Sequence, residues 1–123
     1  MIAPCVRVAV DQVLSIEGRL DVLVNHAGSV LSGPGEWTSE ESALRQMDVN
    51  FMGAVRMTSA VLPTMRSQGT GLILNVSSMA AAIPLPYRSI YAASKAALEA
   101  WAWSLRLEVK SSGIGVTYLQ VGD

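Results

Sequence analysis

Charge is scarce in this 123-residue chain. Asp, Glu, Lys and Arg make up 15% of it, against roughly 25% in an average soluble domain. Nine basic and ten acidic side chains leave a net charge of −1, so there is no electrostatic footprint for nucleic acid or an anionic membrane. The lone cysteine, Cys5, cannot close an intramolecular disulfide, which suits a reducing compartment and points to the cytoplasm. One histidine, His26, and no Cys/His cluster argue against a bound metal. The longest stretch without charge, 67–87, holds Asn75, Pro84, Pro86 and several Ser and Gly, so it is not a transmembrane helix. No apolar stretch of signal-peptide length precedes Arg7.

Apolar residues are what the chain has in excess. Half of it is hydrophobic, and the mean hydropathy is +0.35. That excludes disorder, and the length allows one domain, not two. It is also more apolar material than one small core needs.

Periodicity alternates between helical and strand-like segments. Val6, Val10, Val13 and Leu14 recur at helical spacing, with Pro4 in the first turn and Gly18 as a stop. Leu20 to Asn25 is a short β-branched apolar run, the pattern of a strand buried on both faces. A loop with Gly28, Gly33, Pro34 and Gly35 follows. Thr38 and Glu41 read as a capping box, opening a helix through Leu44, Met47, Phe51, Val55 and Leu62. Gly53 and Pro63 weaken that helix, and Gly69 and Gly71 end it. Leu72 to Val76 is a second buried strand, and Ser77 to Tyr87 a loop. A long helix is expected over 89–110, stopped by Gly113, and Gly115 to Val121 forms a third strand. Such an alternation specifies an α/β fold: a three-layer, Rossmann-like parallel sheet, here with about three strands in sequential order and three helices. Ligands of such sheets bind at the carboxyl ends of the strands, which here are Asn25 to Gly28, Ser77-Ser78 and Val121-Gly122.

The chemistry concentrates around Tyr91-Ala92-Ala93-Ser94-Lys95. On a helix Tyr91 and Lys95 lie one turn apart on one face. A lysine ammonium beside a phenol favours the phenolate over a phenol whose ordinary pKa is about 10, and such a phenol exchanges protons near neutral pH. By itself an i,i+4 Tyr–Lys pair is common on helix surfaces. Ser78, thirteen residues upstream and at a strand end, can polarise a carbonyl, although most such serines serve local backbone. Asn50 lies mid-helix, where asparagine is unfavourable unless a local bend, such as one holding a water, employs it.

Together these residues resemble one family, the short-chain dehydrogenases/reductases. The matching segments are LDVLVNHAG (20–28), DVNFMGAV (48–55), GLILNVSS (71–78), YAASK (91–95) and GIGVTYLQVGD (113–123), in the family's order and with its spacings. The resemblance implies hydride transfer between NAD or NADP and an alcohol/ketone substrate. It implies Tyr91 as acid/base and Lys95 as the lysine that tunes it and bonds the nicotinamide ribose. Ser78 would orient the substrate oxygen, and Asn50 would hold a water in a relay to Lys95. Asn25, Ala27 and Gly28 match the motif that admits the cofactor to the backbone, and Gly122 belongs to the pair shaping the nicotinamide pocket.

Three departures qualify the likeness. The Gly-rich fingerprint that cradles the pyrophosphate occurs nowhere in the chain, so residues 1–123 are expected to form a single, incomplete dehydrogenase domain. They match the family from just before the helix that precedes its fourth strand to just after its sixth strand. His26 stands where a second asparagine is usual and reads as a strand-end histidine. Val121 stands where the family has proline. Leu85, Pro86 and Tyr87 are candidates to line a substrate pocket, with loop packing as the preferred reading. A competing reading is a non-catalytic module that acts by association, as a homo-oligomer or with a complementing chain. It rests on the long helix with Leu98, Trp101, Ala102, Leu105 and Val109, since Trp101 and Trp103 cannot both face one sheet.

Overall fold

The structure, a computed structural model, describes residues 3–122. Three parallel strands pair in the order β1 (Val22–Asn25), β2 (Gly71–Ser78), β3 (Ile114–Val121). Val24 lies opposite Leu74, and Leu74 opposite Thr117. Among the described residues, the other edge of β1 is unpaired.

Four helices accompany them. α1 (Pro4–Glu17) starts on Pro4 and stops at Gly18, whose N–H donates to the Leu14 carbonyl at 2.9 Å. α2 (Glu40–Met47) runs through a single π-helical turn, Asp48–Met52, into α3 (Gly53–Gln68). The helix cap is Ser39, not Thr38: the Ser39 hydroxyl accepts from the Ser42 N–H at 3.2 Å, while Thr38 bonds back to the Pro34 carbonyl. Pro63 does not end α3. The carbonyl it deprives belongs to Ser59, an exposed residue that water can reach, while Val61, Leu62 and Met65 bury on the other side. α4 (Ser89–Val109) closes through a 3₁₀ turn, Lys110–Ser112, onto Gly113. With φ at +75° and the Gly69 carbonyl against the space a Cβ would take, only glycine fits at position 113.

Two strands differ by two residues or more from their sequence-based bounds. β1 starts at Val22, not Leu20, because the Gln68 side chain occupies Leu20 as a strand partner would. It accepts from the Leu20 N–H and donates to the Leu20 carbonyl, both at 2.9 Å. β2 extends through Ser77 and Ser78, expected in a loop, because they pair with Gln120 and Val121 of β3.

The core lies between one sheet face and the helices. Leu23, Ile73 and Val116 point into it from the strands. Val61 and Met65 of α3, Leu105 and Val109 of α4 and Val10 of α1 meet them. The alternate residues, Val22, Val24, Leu72 and Leu119, are exposed. Two layers of the expected three-layer arrangement are therefore present among the described residues: the sheet and the helices over one of its faces.

Candidate active site

Lys95 shows how the fold builds the site. It is 5% exposed on α4, and its Nζ donates to the Val76 carbonyl of β2 at 2.9 Å. Burial pushes its ammonium below the ordinary lysine value. The Tyr91 ring, one turn earlier, has its centroid 5.9 Å from that nitrogen. Tyr91 and Lys95, with Ser78 from the end of β2, Gly28 from the loop after β1 and Val121-Gly122 from the end of β3, line one cavity of about 230 Å³. The carboxyl ends of all three strands meet there. His26, exposed, also borders it.

Ser78 has two roles available. Its oxygen accepts from the Ala80 N–H at 3.1 Å, capping the 3₁₀ turn Met79–Ala81. That bond uses a lone pair and leaves the hydroxyl proton to donate into the cavity.

Asn50 sits in the π-turn, 1% exposed. A π-turn interrupts the regular helical ladder and often marks a functional position. Its amide donates to the Ser29 carbonyl and to the Ser94 hydroxyl, both at 2.9 Å, and its oxygen accepts from the Ser29 N–H at 2.7 Å. The side chain is thus a strap between the β1 loop and α4, with both amide hydrogens committed. Ser94 passes the tie on by donating to the Tyr91 carbonyl at 2.7 Å. Gln46, one helical turn before Asn50, donates to the same Ser29 carbonyl at 3.0 Å. Across the turn the Arg56 guanidinium, bonded to Asp48, holds that carboxyl below the usual range.

Gly28 lies against this strap. A Cβ there would be 3.3 Å from Asn50 Oδ1 and 3.5 Å from Lys95 Nζ, so the absent side chain is what lets a ligand reach the lysine. Over Gly28 a ligand hydroxyl would meet Lys95 Nζ as a hydrogen-bond donor. Asn25 and Ala27 lie elsewhere, on a neighbouring apolar cavity of about 380 Å³. Asn25 donates to Asn75 at 2.9 Å and to Thr58 at 3.2 Å, tying β1 to β2 and α3.

The sequence reading gave no role to Gln46, Ser29, Ser94 or Glu99. Glu99 accepts from Ser77 at 2.5 Å and from Gln120 at 3.0 Å, joining the ends of β2 and β3. The available signal was spacing: Gln46 is four residues before Asn50, and Glu99 four after Lys95. Among the described residues no three His, Cys, Asp or Glu side chains gather as metal ligands, and no helix is long and apolar enough to cross a membrane.

An open parallel sheet with helices over one face and polar side chains converging at the carboxyl ends of its strands is the arrangement of part of a Rossmann-like α/β domain. The short chain dehydrogenase family model matches residues 4–123. The chain belongs to the short-chain dehydrogenase/reductase family, whose members are oxidoreductases. It is 45% identical over 118 residues to a 3-ketodihydrosphingosine reductase of Bacteroides thetaiotaomicron, covering 96% of this chain and 44% of that protein. It is 40% identical over 106 residues to human 17-beta-hydroxysteroid dehydrogenase type 1, covering 86% of this chain and 32% of that one. An NAD+-bound xylitol dehydrogenase superposes with a TM-score of 0.91 at 30% identity, over 95% of this chain and 45% of its own. The chain spans less than half the length of each of these relatives.

Proposed function

We propose that this chain carries the proton-transfer machinery of a nicotinamide-dependent oxidoreductase acting on an alcohol/carbonyl pair, within one incomplete dehydrogenase domain. The observation that carries the proposal is the convergence of Ser78, Tyr91 and Lys95 on one cavity floored by Gly28. The cofactor, NAD or NADP, supplies and takes back the hydride when bound. Lys95 and Gly28 would hold its nicotinamide ribose. In the reducing direction the Ser78 hydroxyl donates to the carbonyl oxygen, which polarises the carbon toward hydride. As the carbonyl π bond breaks, the Tyr91 hydroxyl gives its proton to that oxygen, and the Lys95 ammonium stabilises the phenolate left behind. Oxidation of the alcohol runs the same steps backwards. With its side chain committed to Ser29 and Ser94, Asn50 would hold a relay water through its main chain, which the π-turn takes out of the regular ladder. The exposed, unpaired Cys5 suits the reducing cytoplasm.

Purified chain with NADH or NADPH and a panel of ketones tests the proposal. Ketone-dependent oxidation of the reduced cofactor that Tyr91→Phe abolishes supports it. No dinucleotide binding at millimolar concentration would overturn it for this chain.

A second reading, self-association, has its own observation. Val22, Val24 and Leu119 on the sheet, and Trp103 and Leu107 on α4, are large apolar side chains in solvent. Trp101 instead packs inward, edge-on to Phe51 at 6.2 Å. Light scattering across a concentration series decides: a homo-oligomer supports association, and a strict monomer opposes it.

A further inference from the structure

A second cavity, also about 230 Å³, adjoins the reaction cavity and shares two of its residues, Ser78 and Val121. Its remaining walls are Met79, Ala80, Ile83 and Leu85. They all come from the stretch 67–87, which carries no charge. The two cavities differ in chemistry across their shared wall. The reaction side presents a hydroxyl, a phenol and an ammonium, whereas this side presents aliphatic carbon and one thioether. Met79, Ile83, Leu85 and Val121 are all exposed, so apolar surface open to a ligand lies directly beside the polar cavity.

The wall is also built to hold its shape. Pro84 and Pro86 fix two of its backbone angles. Tyr87 sits at φ +65°, a left-handed conformation that a non-glycine residue keeps only when its surroundings impose it. Here the Gly33 N–H donates to the Tyr87 carbonyl at 2.8 Å. At the other end, a Cβ on Gly122 would lie 3.2 Å from Met79 Sδ, so Met79 rests on the chain that borders both cavities.

We infer that the carbonyl substrate bound at Ser78 and Tyr91 carries a hydrocarbon arm, and that the arm lies in this cavity. The inference rests on the oxidoreductase reading and adds the substrate class: ketones or secondary alcohols with an unbranched or cyclic apolar substituent, not small polyols or sugars. A cavity of about 150 Å³ accepts benzene, so this one takes an arm of about six carbons or more.

Titration of the chain with 2-butanone and 2-octanone tests it, with and without NADH or NADPH, read from the methyl resonances of Met79 and Ile83. A fully buried methylene changes affinity about fourfold. 2-Octanone is therefore expected to bind at least about tenfold tighter than 2-butanone and to shift both methyl signals. Ile83→Asp and Leu85→Asp place a charge in the wall at exposed positions, where the fold tolerates it, and are expected to bring 2-octanone down to the affinity of 2-butanone. Equal affinity for the two ketones, or a preference that both Asp variants leave intact, overturns the inference. The catalytic reading fails separately: chain-length-dependent binding without cofactor oxidation supports the arm site and sinks the chemistry, whereas turnover indifferent to chain length does the reverse.

Discussion

The two faces of the sheet are built from the same kind of residue and live in different surroundings. On one, Leu23, Ile73 and Val116 are buried under α3 and α4. On the other, Val22, Val24 and Leu119 are each more than half exposed. The strands have the composition of a sheet covered on both sides, while the described helices cover one. Part of the apolar excess in the composition thus lies on the open face and along α4, while the covered face is the one α4 packs against. The difference separates what holds this chain together from what it offers to others.

The largest expected effect tests that separation directly. Ile73→Ala removes a fully buried side chain and is expected to cost about 2–5 kcal/mol. Leu119→Ala on the open face is expected to stay within about 0.5 kcal/mol, both read from urea unfolding. If Leu119→Ala costs as much as Ile73→Ala, the open face is covered in solution, and self-association gains what the comparison loses.

Next comes the strap that links the covered side to the site. Ser94→Ala strips Asn50 of a buried acceptor and is expected to cost about 1–3 kcal/mol. Ser104→Ala, whose hydroxyl bonds Glu108 in solvent, is expected to change unfolding negligibly. Equal costs would show that the strap is not special.

The smallest effect is a pH slope. Burial lowers the Lys95 pKa in the folded chain. Between that value and the unfolded value of about 10.4, the folded state therefore holds fewer protons than the unfolded one. Stability contributed at this site rises with pH through that window and is least below it, where the buried ammonium is charged. Lys95→Met is expected to flatten the alkaline rise in urea midpoint; an unchanged slope would assign it to other groups.

Much of this was legible in the sequence where the signal is local. Tyr91 and Lys95 were placed by helical period, Gly18, Gly69 and Gly113 stopped their helices, and the misfit of an asparagine in a helix marked Asn50, which proved to occupy a π-turn. What could not be read depends on distant partners. Ser77 and Ser78 look like loop residues until β3 pairs with them and Glu99 bonds Ser77. The strap runs through the backbone of Ser29, which carries no side-chain signature. Thr38 was read as the helix cap, and tertiary geometry gave that role to its neighbour Ser39. The strands read as buried on both faces because composition records how a sheet is made, not which helices accompany it.

The proposed proton transfer to a carbonyl oxygen in the cavity of Ser78, Tyr91 and Lys95 is tested most directly by 2-octanone-dependent oxidation of NADH or NADPH, compared between the chain and its Tyr91→Phe variant. The expected result is a fall of at least about a hundredfold on losing the phenol proton with unfolding unchanged; an equal rate in the two proteins would contradict the account.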